Sequence, residues 1–214
     1  MKSHSKKNYI YENDILVYES LIDEFTSNVF KDFDSRFNKL DIISRITRLI
    51  SGEIVNESEG QAALHTKYRS SSRPEYLLKE QNKAKEFLRR HTKECINNNY
   101  KEINIITLGI GGSYEGPKLL LECFDSPNLP TSFELDRINF DFITGSDPIE
   151  FEHKLKSLNP ENTFFVVSSK SFSTDETIKN LKSAFLWSND KNKFIAITAN
   201  PSEAIKYGIK EVIQ

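Results

Sequence analysis

The sequence predicts an α/β fold: a parallel, doubly wound sheet preceded by an N-terminal helical region. Three observations carry that expectation. From about residue 101 onward, short runs rich in Ile, Val, Phe and Thr alternate with helical stretches. Those runs are apolar throughout, as strands covered on both faces are. Before about residue 100, apolar residues instead recur at spacings of three and four. The boundary is therefore drawn there, with 1–100 as the helical region and 101–214 as the sheet domain.

Taken in order, "SLIDEFTSNVFKDFDSRFNKLDIISRITRLI" places Leu21, Phe25, Val29, Phe30, Phe33 and Phe37 on one face of a helix or helix pair. The next stretch, "SGEIVNESEGQAALHTKYRSSSRP", is rich in Ser, Gly and charge. It reads as irregular around Ser51 to Gly60, with a short helix after it. "EYLLKEQNKAKEFLRRHTKECINNNY" returns to the helical pattern through Leu77, Leu78, Ala84, Phe87, Leu88 and Cys95, and asparagines mark its end. Strands are expected over 103–110, 138–145, 163–169 and 193–199, and helices over 115–124, 148–157, 174–188 and 201–207. The series of elements reads as unfinished at Gln214, so the domain is expected to be truncated on that side.

Composition narrows the classes of function. The 214 residues suit one large domain or one domain with an appendage. A net charge of −2 offers no electrostatic case for nucleic acid or an anionic membrane. No apolar run approaches the ~18 residues of a membrane-spanning helix. Cys95 and Cys123 follow no metal-type spacing, and "MKSHSKKNYIYEND" lacks the apolar segment of a secretory signal. A cytoplasmic, reducing setting with both thiols free is expected, and no metal site.

In open parallel sheets, ligands bind beyond the carboxyl ends of the strands. Two loops at that end stand out. "LGIGGSYEGP" is not a Walker A loop, because no Gly-Lys-Ser/Thr closes it. It is not a GxGxxG fingerprint either, since Tyr114 occupies the third slot. What remains is a glycine turn that delivers Ser113 to a helix start: either an anion site or a tight turn with Ser113 as a plain cap. In "SSKSFSTDET", hydroxyls at 168, 169, 171, 173, 174 and 177 surround Lys170, and Asp175 and Glu176 open the next helix. Such a cluster can hold phosphate oxygens. Its alternative is a capping box of Ser173 with Glu176, or a Thr174 cap, in a solvated loop. Two such loops at one end of one sheet favour a small phosphorylated metabolite held by neutral donors.

Together, "NESEGQAALH" (56–65), "GIGGSYEGP" (109–117) and "SSKSFSTDET" (168–177) resemble the glucose-6-phosphate isomerase family. "FIAITANPSEAIKYGI" resembles that family's next segment, so the resemblance runs from about residue 50 to the C-terminus. It implies a Rossmann-like sheet of the sugar-isomerase (SIS) type. It also implies that Ser113, with Gly112 beside it, and Ser169, Lys170, Ser171 and Thr174 contact the sugar phosphate, Lys170 largely through its backbone. The chain departs from the family at Ser171 and Ser173, where threonine is usual, at Glu115, where leucine is usual, and at Gln61, where arginine is usual. A carboxylate at Glu115 would oppose phosphate binding unless it points outward. His65 matches a family histidine, which we read as a packing residue.

The activity implied is interconversion of glucose 6-phosphate and fructose 6-phosphate, by proton transfer through an enediol, in glycolysis and gluconeogenesis. No metal or organic cofactor is implied. The glutamate base, histidine, lysine and arginine that the resemblance implies fall downstream of the matched region. Glu59, His65 and His153 do not stand in for them, so no catalytic residue is assigned in this chain. The expectation is an N-terminal part of such an isomerase, a hexose-phosphate anchor that is inactive alone, from a full-length homodimer. The alternatives are a stand-alone sugar-phosphate-binding module or regulator, or another sugar-phosphate isomerase or amidotransferase sharing the domain.

Overall fold

Pro74 separates two units in the computed structural model, Met1–Pro74 and Glu75–Gln214. The structure describes residues 10–12, 17–19, 27–55, 60–71, 73–124 and 137–214. In the first unit, β1 (Ile10–Glu12) and β2 (Val17–Glu19) pair antiparallel, with Ile10 opposite Glu19. The sequence reading has no hairpin here, because three-residue strands carry too little periodicity to register. Helices α1 (Ser27–Lys39) and α2 (Ile42–Ser51) follow, and α3 (His65–Tyr68) is a single turn. The expected apolar spacing from Val29 to Phe37 thus falls on α1, while Leu21 and Phe25 lie outside the described residues. Gly52 ends α2 with a φ of 85°. Its amide reaches Leu49 O and that of Glu53 reaches Arg48 O, the paired bonds of a left-handed helix stop.

The second unit begins with α4 (Glu75–Asn97). It continues through β3 (Glu102–Leu108), α5 (Gly112–Phe124), β4 (Arg137–Ile143) and α6 (Pro148–Leu155). Then come β5 (Thr163–Ser168), α7 (Asp175–Ser188), β6 (Phe194–Ile197), α8 (Pro201–Lys206) and β7 (Glu211–Ile213). The five strands form one parallel sheet in the order β4-β3-β5-β6-β7. The α/β expectation therefore holds, and each strand and helix expected from residue 101 onward is present. The addition is β7, whose three residues are too few to read as a strand.

The unit boundary differs from the one drawn near residue 100. Helix α4 ends where the asparagines suggested: Asn99 is left-handed (φ 63°), with Asn99 N bonded to Ile96 O and Tyr100 N to Cys95 O. Yet α4 belongs with the sheet. Its Phe87 and Cys95 are buried in one core with Ile103, Phe164, Ile195 and Ile213. An amphipathic pattern shows that a helix has an apolar face, but not which surface that face covers.

The other sheet face carries the larger core. Ile106, Leu108, Ile143, Phe165, Val167, Phe194 and Ala196 pack against Phe151 and Leu155 of α6, Leu181 and Ala184 of α7, and Ala204 of α8. Phe165 and Phe194 stack with centroids 4.7 Å apart. The α4 face is covered less completely. Phe140 remains 48% exposed and Ile197 43%, and both border an apolar groove beside α4. No helix among the described residues is long and apolar enough to cross a membrane.

Two buried polar side chains tie α4 and β6 to their surroundings. His91 is 3% exposed between the rings of Phe87 and Phe164, at centroid distances of 4.5 and 4.2 Å. Its Nδ1 lies 3.1 Å from Glu94 Oε2 and its Nε2 3.1 Å from Asn192 O. Lys193, also 3% exposed, donates to Pro160 O at 2.7 Å and Glu161 O at 3.2 Å.

Burial holds the His91 imidazole below its ordinary value of 6.5, against the opposing pull of Glu94. The unfolded chain then binds the proton more readily than the folded one. Stability should be full above about pH 6.5 and decline as pH falls through the lower folded value. In denaturant titrations, His91→Gln should flatten that acid-side decline. The thiols should also separate. Cys95 is buried and pushed up to about 11 by that burial, whereas Cys123 is exposed. A thiol reagent should modify Cys123 alone in the native protein, and Cys95 only on unfolding.

Candidate functional site

The order of strands locates the site. From β3 the chain steps outward to β4, then returns past β3 to β5 and continues to β7. Right-handed crossovers place the helices after β3 and β5 on opposite faces. The side chains agree. Tyr114 of α5 packs 5.3 Å from Phe142 on one face, and α7 packs on Ile106 and Leu108 of the other. A crevice therefore opens between the carboxyl ends of β3 and β5, the switch point where open sheets bind ligands. The two loops singled out in the sequence lie there.

The glycine loop is shaped by close approach. A Cβ on Gly109 would lie 2.7 Å from Ser168 O and 3.0 Å from Ser113 Cβ. Only glycine lets the two loops meet backbone to backbone at that distance. Gly111 serves differently: its φ of +54° turns the chain into α5, and a Cβ there would meet nothing within 4 Å. Helix α5 begins at Gly112, so Ser113 stands inside the first turn rather than at the cap. Its amide donates to Ile110 O at 3.1 Å, and its hydroxyl has no partner among the described residues. Glu115 is exposed on the same first turn, where the helix dipole favours a carboxylate.

The second loop is held from within. Ser169 is buried, and its Oγ accepts from Phe172 N at 3.2 Å and lies 3.5 Å from Thr174 Oγ1. Phe172 is left-handed (φ 54°) and 1% exposed, its ring 6.0 Å from that of Tyr207. Such a backbone costs roughly 1–3 kcal/mol, which the buried ring offsets. Ser171 Oγ is exposed and accepts from Ser173 Oγ at 2.8 Å. Thr174 occupies the cap position of α7 but its side chain makes no capping bond, and no Ser173–Glu176 box forms. Lys170 is exposed. The structure thus brings Gly112, Ser113, Ser169, Lys170, Ser171 and Thr174 to one end of one sheet. Ser169 is spent on holding the loop's shape, while Ser113, Ser171 and Thr174 are left more open.

Two neighbouring segments escaped the sequence reading. After β4, Asp147 caps α6 by accepting from Ile149 N at 2.9 Å, and Asn180 of α7 donates to Gly145 O at 2.7 Å. The Asp-Pro pair at 147–148 signals that cap. After β6, Thr198 Oγ1 donates to Lys170 O at 3.0 Å and Asn200 Nδ2 to Ser171 O at 3.4 Å. In the first unit, His65 is exposed at the start of α3, so the packing role expected for it does not hold; Gln61 is exposed as well. Among the described residues, no three His, Cys, Asp or Glu side chains cluster as metal ligands would.

The family model described as phosphoglucose isomerase matches residues 20–213. A glucose-6-phosphate isomerase of Legionella pneumophila (strain Lens) is 32% identical over 192 residues, which is 82% of this chain and 37% of that protein. Another, from Shewanella sp. (strain ANA-3), is 31% identical over 191 residues, 80% of this chain and 34% of that one. The chain thus spans little more than a third of the length of the curated relatives it matches. Among solved structures, a glucose-6-phosphate isomerase from Chlamydia trachomatis D/UW-3/Cx shares the fold. It has a TM-score of 0.54 and 24% identity over 76% of this chain and 33% of that one.

The two glycines of the loop should respond oppositely to the same change. Gly109→Ala forces a methyl against a backbone oxygen and should lower unfolding free energy by roughly 1–3 kcal/mol. Gly112→Ala places its methyl in open space on a helix turn, where a Cβ meets nothing within 4 Å, and should be neutral or slightly stabilising. Urea denaturation of the two variants compares them directly.

Proposed function

The chain belongs to the phosphoglucose isomerase family, and on that premise we propose that it carries the sugar-phosphate anchor of a glucose-6-phosphate isomerase. Its substrate class is the hexose 6-phosphates, and the anchored phosphate sits in the crevice between the β3 and β5 loops. One observation supports this above the others: the backbone contact of Gly109 with Ser168, which sets two hydroxyl-bearing loops side by side at the switch point. Helices α5 and α7 both begin there, and the positive ends of their dipoles favour an anion.

The assignment of contacts follows the exposure of each group. Ser113, Ser171 and Thr174 offer hydroxyls to phosphate oxygens, Gly112 leaves its backbone uncovered, and Lys170 adds backbone and positive charge. Ser169 acts behind them, through its bond to Phe172 N. Glu115 does not oppose the phosphate, because it is exposed to solvent and lies near the Lys118 charge. The isomerisation passes a proton between two sugar carbons through an enediol. The resemblance implies that the groups that move that proton belong to family segments other than the one matched here, and on this reading these 214 residues alone bind without turnover.

Calorimetric titration with fructose 6-phosphate should show saturable binding that fructose without phosphate does not. Ser113→Ala and Ser171→Ala should each weaken it by roughly 1.5–3 kcal/mol, the worth of a hydrogen bond to a charged acceptor. Unchanged affinity in both would sink the anchor assignment. In a coupled assay the purified chain should give no product from fructose 6-phosphate, and turnover would show that it holds its own proton-transferring groups.

A further inference from the structure

The anchor loop is held from outside as well as from within. Two of its carbonyls are held by the segment after the neighbouring strand β6. Lys170 O accepts two bonds, from Thr198 Oγ1 at 3.0 Å and from Ala199 N at 3.1 Å. Ser171 O accepts from Asn200 Nδ2 at 3.4 Å. Thr198 is 4% exposed and fully engaged. Its amide donates to Ile213 O of β7 at 3.0 Å, its hydroxyl hydrogen goes to Lys170, and its oxygen accepts from Asn200 N at 3.0 Å. A hydroxyl already giving its one proton to a backbone carbonyl is not a group for binding a ligand.

The consequence lies in the peptide plane. In a trans peptide the C=O and the following N–H point in opposite directions. Fixing Lys170 O toward β6 therefore turns the Ser171 N–H away from β6. That amide has no partner among the described residues. By the same logic, holding Ser171 O toward Asn200 turns the Phe172 N–H away, where Ser169 Oγ receives it. The left-handed Phe172 keeps the two peptides in this sequence of orientations.

We propose that Thr198 is a positioning residue for the sugar-phosphate anchor: with the Ala199 amide, its hydroxyl fixes the Lys170–Ser171 peptide so that the Ser171 amide is presented to the phosphate. This rests on the anchor reading above. It adds a residue that never touches the ligand, just after a strand the anchor loops do not belong to. Phosphate binding at Ser171 then depends on β6 and β7 being in register, because Thr198 is itself held by Ile213.

The test uses the 214-residue chain with fructose 6-phosphate as the probe. Thr198→Val keeps the β-branched shape and removes the hydroxyl, and should weaken binding roughly three- to tenfold, the worth of one neutral hydrogen bond. Thr198→Ser keeps the hydroxyl and should restore affinity to within about twofold of the parent. In nitrogen-15 spectra of the parent chain, the Ser171 amide should shift strongly on adding the probe. In free Thr198→Val that amide should already differ from the parent, with the resonances of α7 unchanged. Binding by the parent with equal affinity in Thr198→Val overturns the proposal and leaves the anchor standing. No binding by the parent overturns both. Should Thr198→Val fail to fold, the parent's own Ser171 amide decides: a shift on titration supports the proposal, and an unmoved resonance in a chain that binds overturns it.

Discussion

Everything at the carboxyl end of the sheet depends on a distance. Gly109 lies so close to Ser168 that a single methyl would collide with the Ser168 carbonyl. That contact is between backbones, so no side-chain rearrangement can relieve a substitution. It joins the exit of β3 to the exit of β5, the two strands whose following helices lie on opposite faces of the sheet. The helices diverge at this switch point, and the two loops meet closely because Gly109 has no side chain. A hydroxyl-rich loop on either strand alone would be an ordinary capped turn. Side by side, the two can surround one anion.

The loop's interior shows how a polar site can be made rigid by its own packing and hydrogen bonds. Phe172 acts as a plug: its ring is buried while its neighbours at 171 and 173 face solvent. The plug forces a left-handed backbone, and the bond from Phe172 N to Ser169 Oγ makes that backbone self-consistent. The orientation of each peptide is thus decided before any ligand arrives. Preorganised donors of this sort do not have to reorganise when an anion binds, which is where a flexible polar loop loses affinity.

The sheet was legible because its strands are apolar on both faces, so "INIITL" and "TFFVVS" need no partner to be recognised. The glycine loop was legible because clustered glycines cost entropy and so mark a place where backbone must come close. Other features were not. Ile10–Glu12, Val17–Glu19 and Glu211–Ile213 are too short for periodicity, and only their pairing makes them strands. Helix α4 could be read as amphipathic, but its docking on Ile103 and Ile213 is a long-range fact. Ser113 and Ser169 lie on the two loops that the sequence singles out. That Ser169 braces the turn rather than faces the crevice depends on Phe172, whose sole sequence signal is one aromatic among hydroxyls. Thr198 carried no signal at all, since a threonine ending a strand is ordinary.

The sheet order also says something about when the crevice comes into being. Strands β3 and β5 are neighbours in space, yet Leu108 and Val167 pair across the whole length of α5, β4 and α6. Closing so long a loop costs entropy before any contact rewards it, which makes parallel pairing a slow step in folding. Residues 109 and 168 meet only after that step is complete. On the proposed function, acquisition of sugar-phosphate affinity would therefore be a kinetic marker for maturation of the sheet, since helices formed before that pairing would not bring the two loops together.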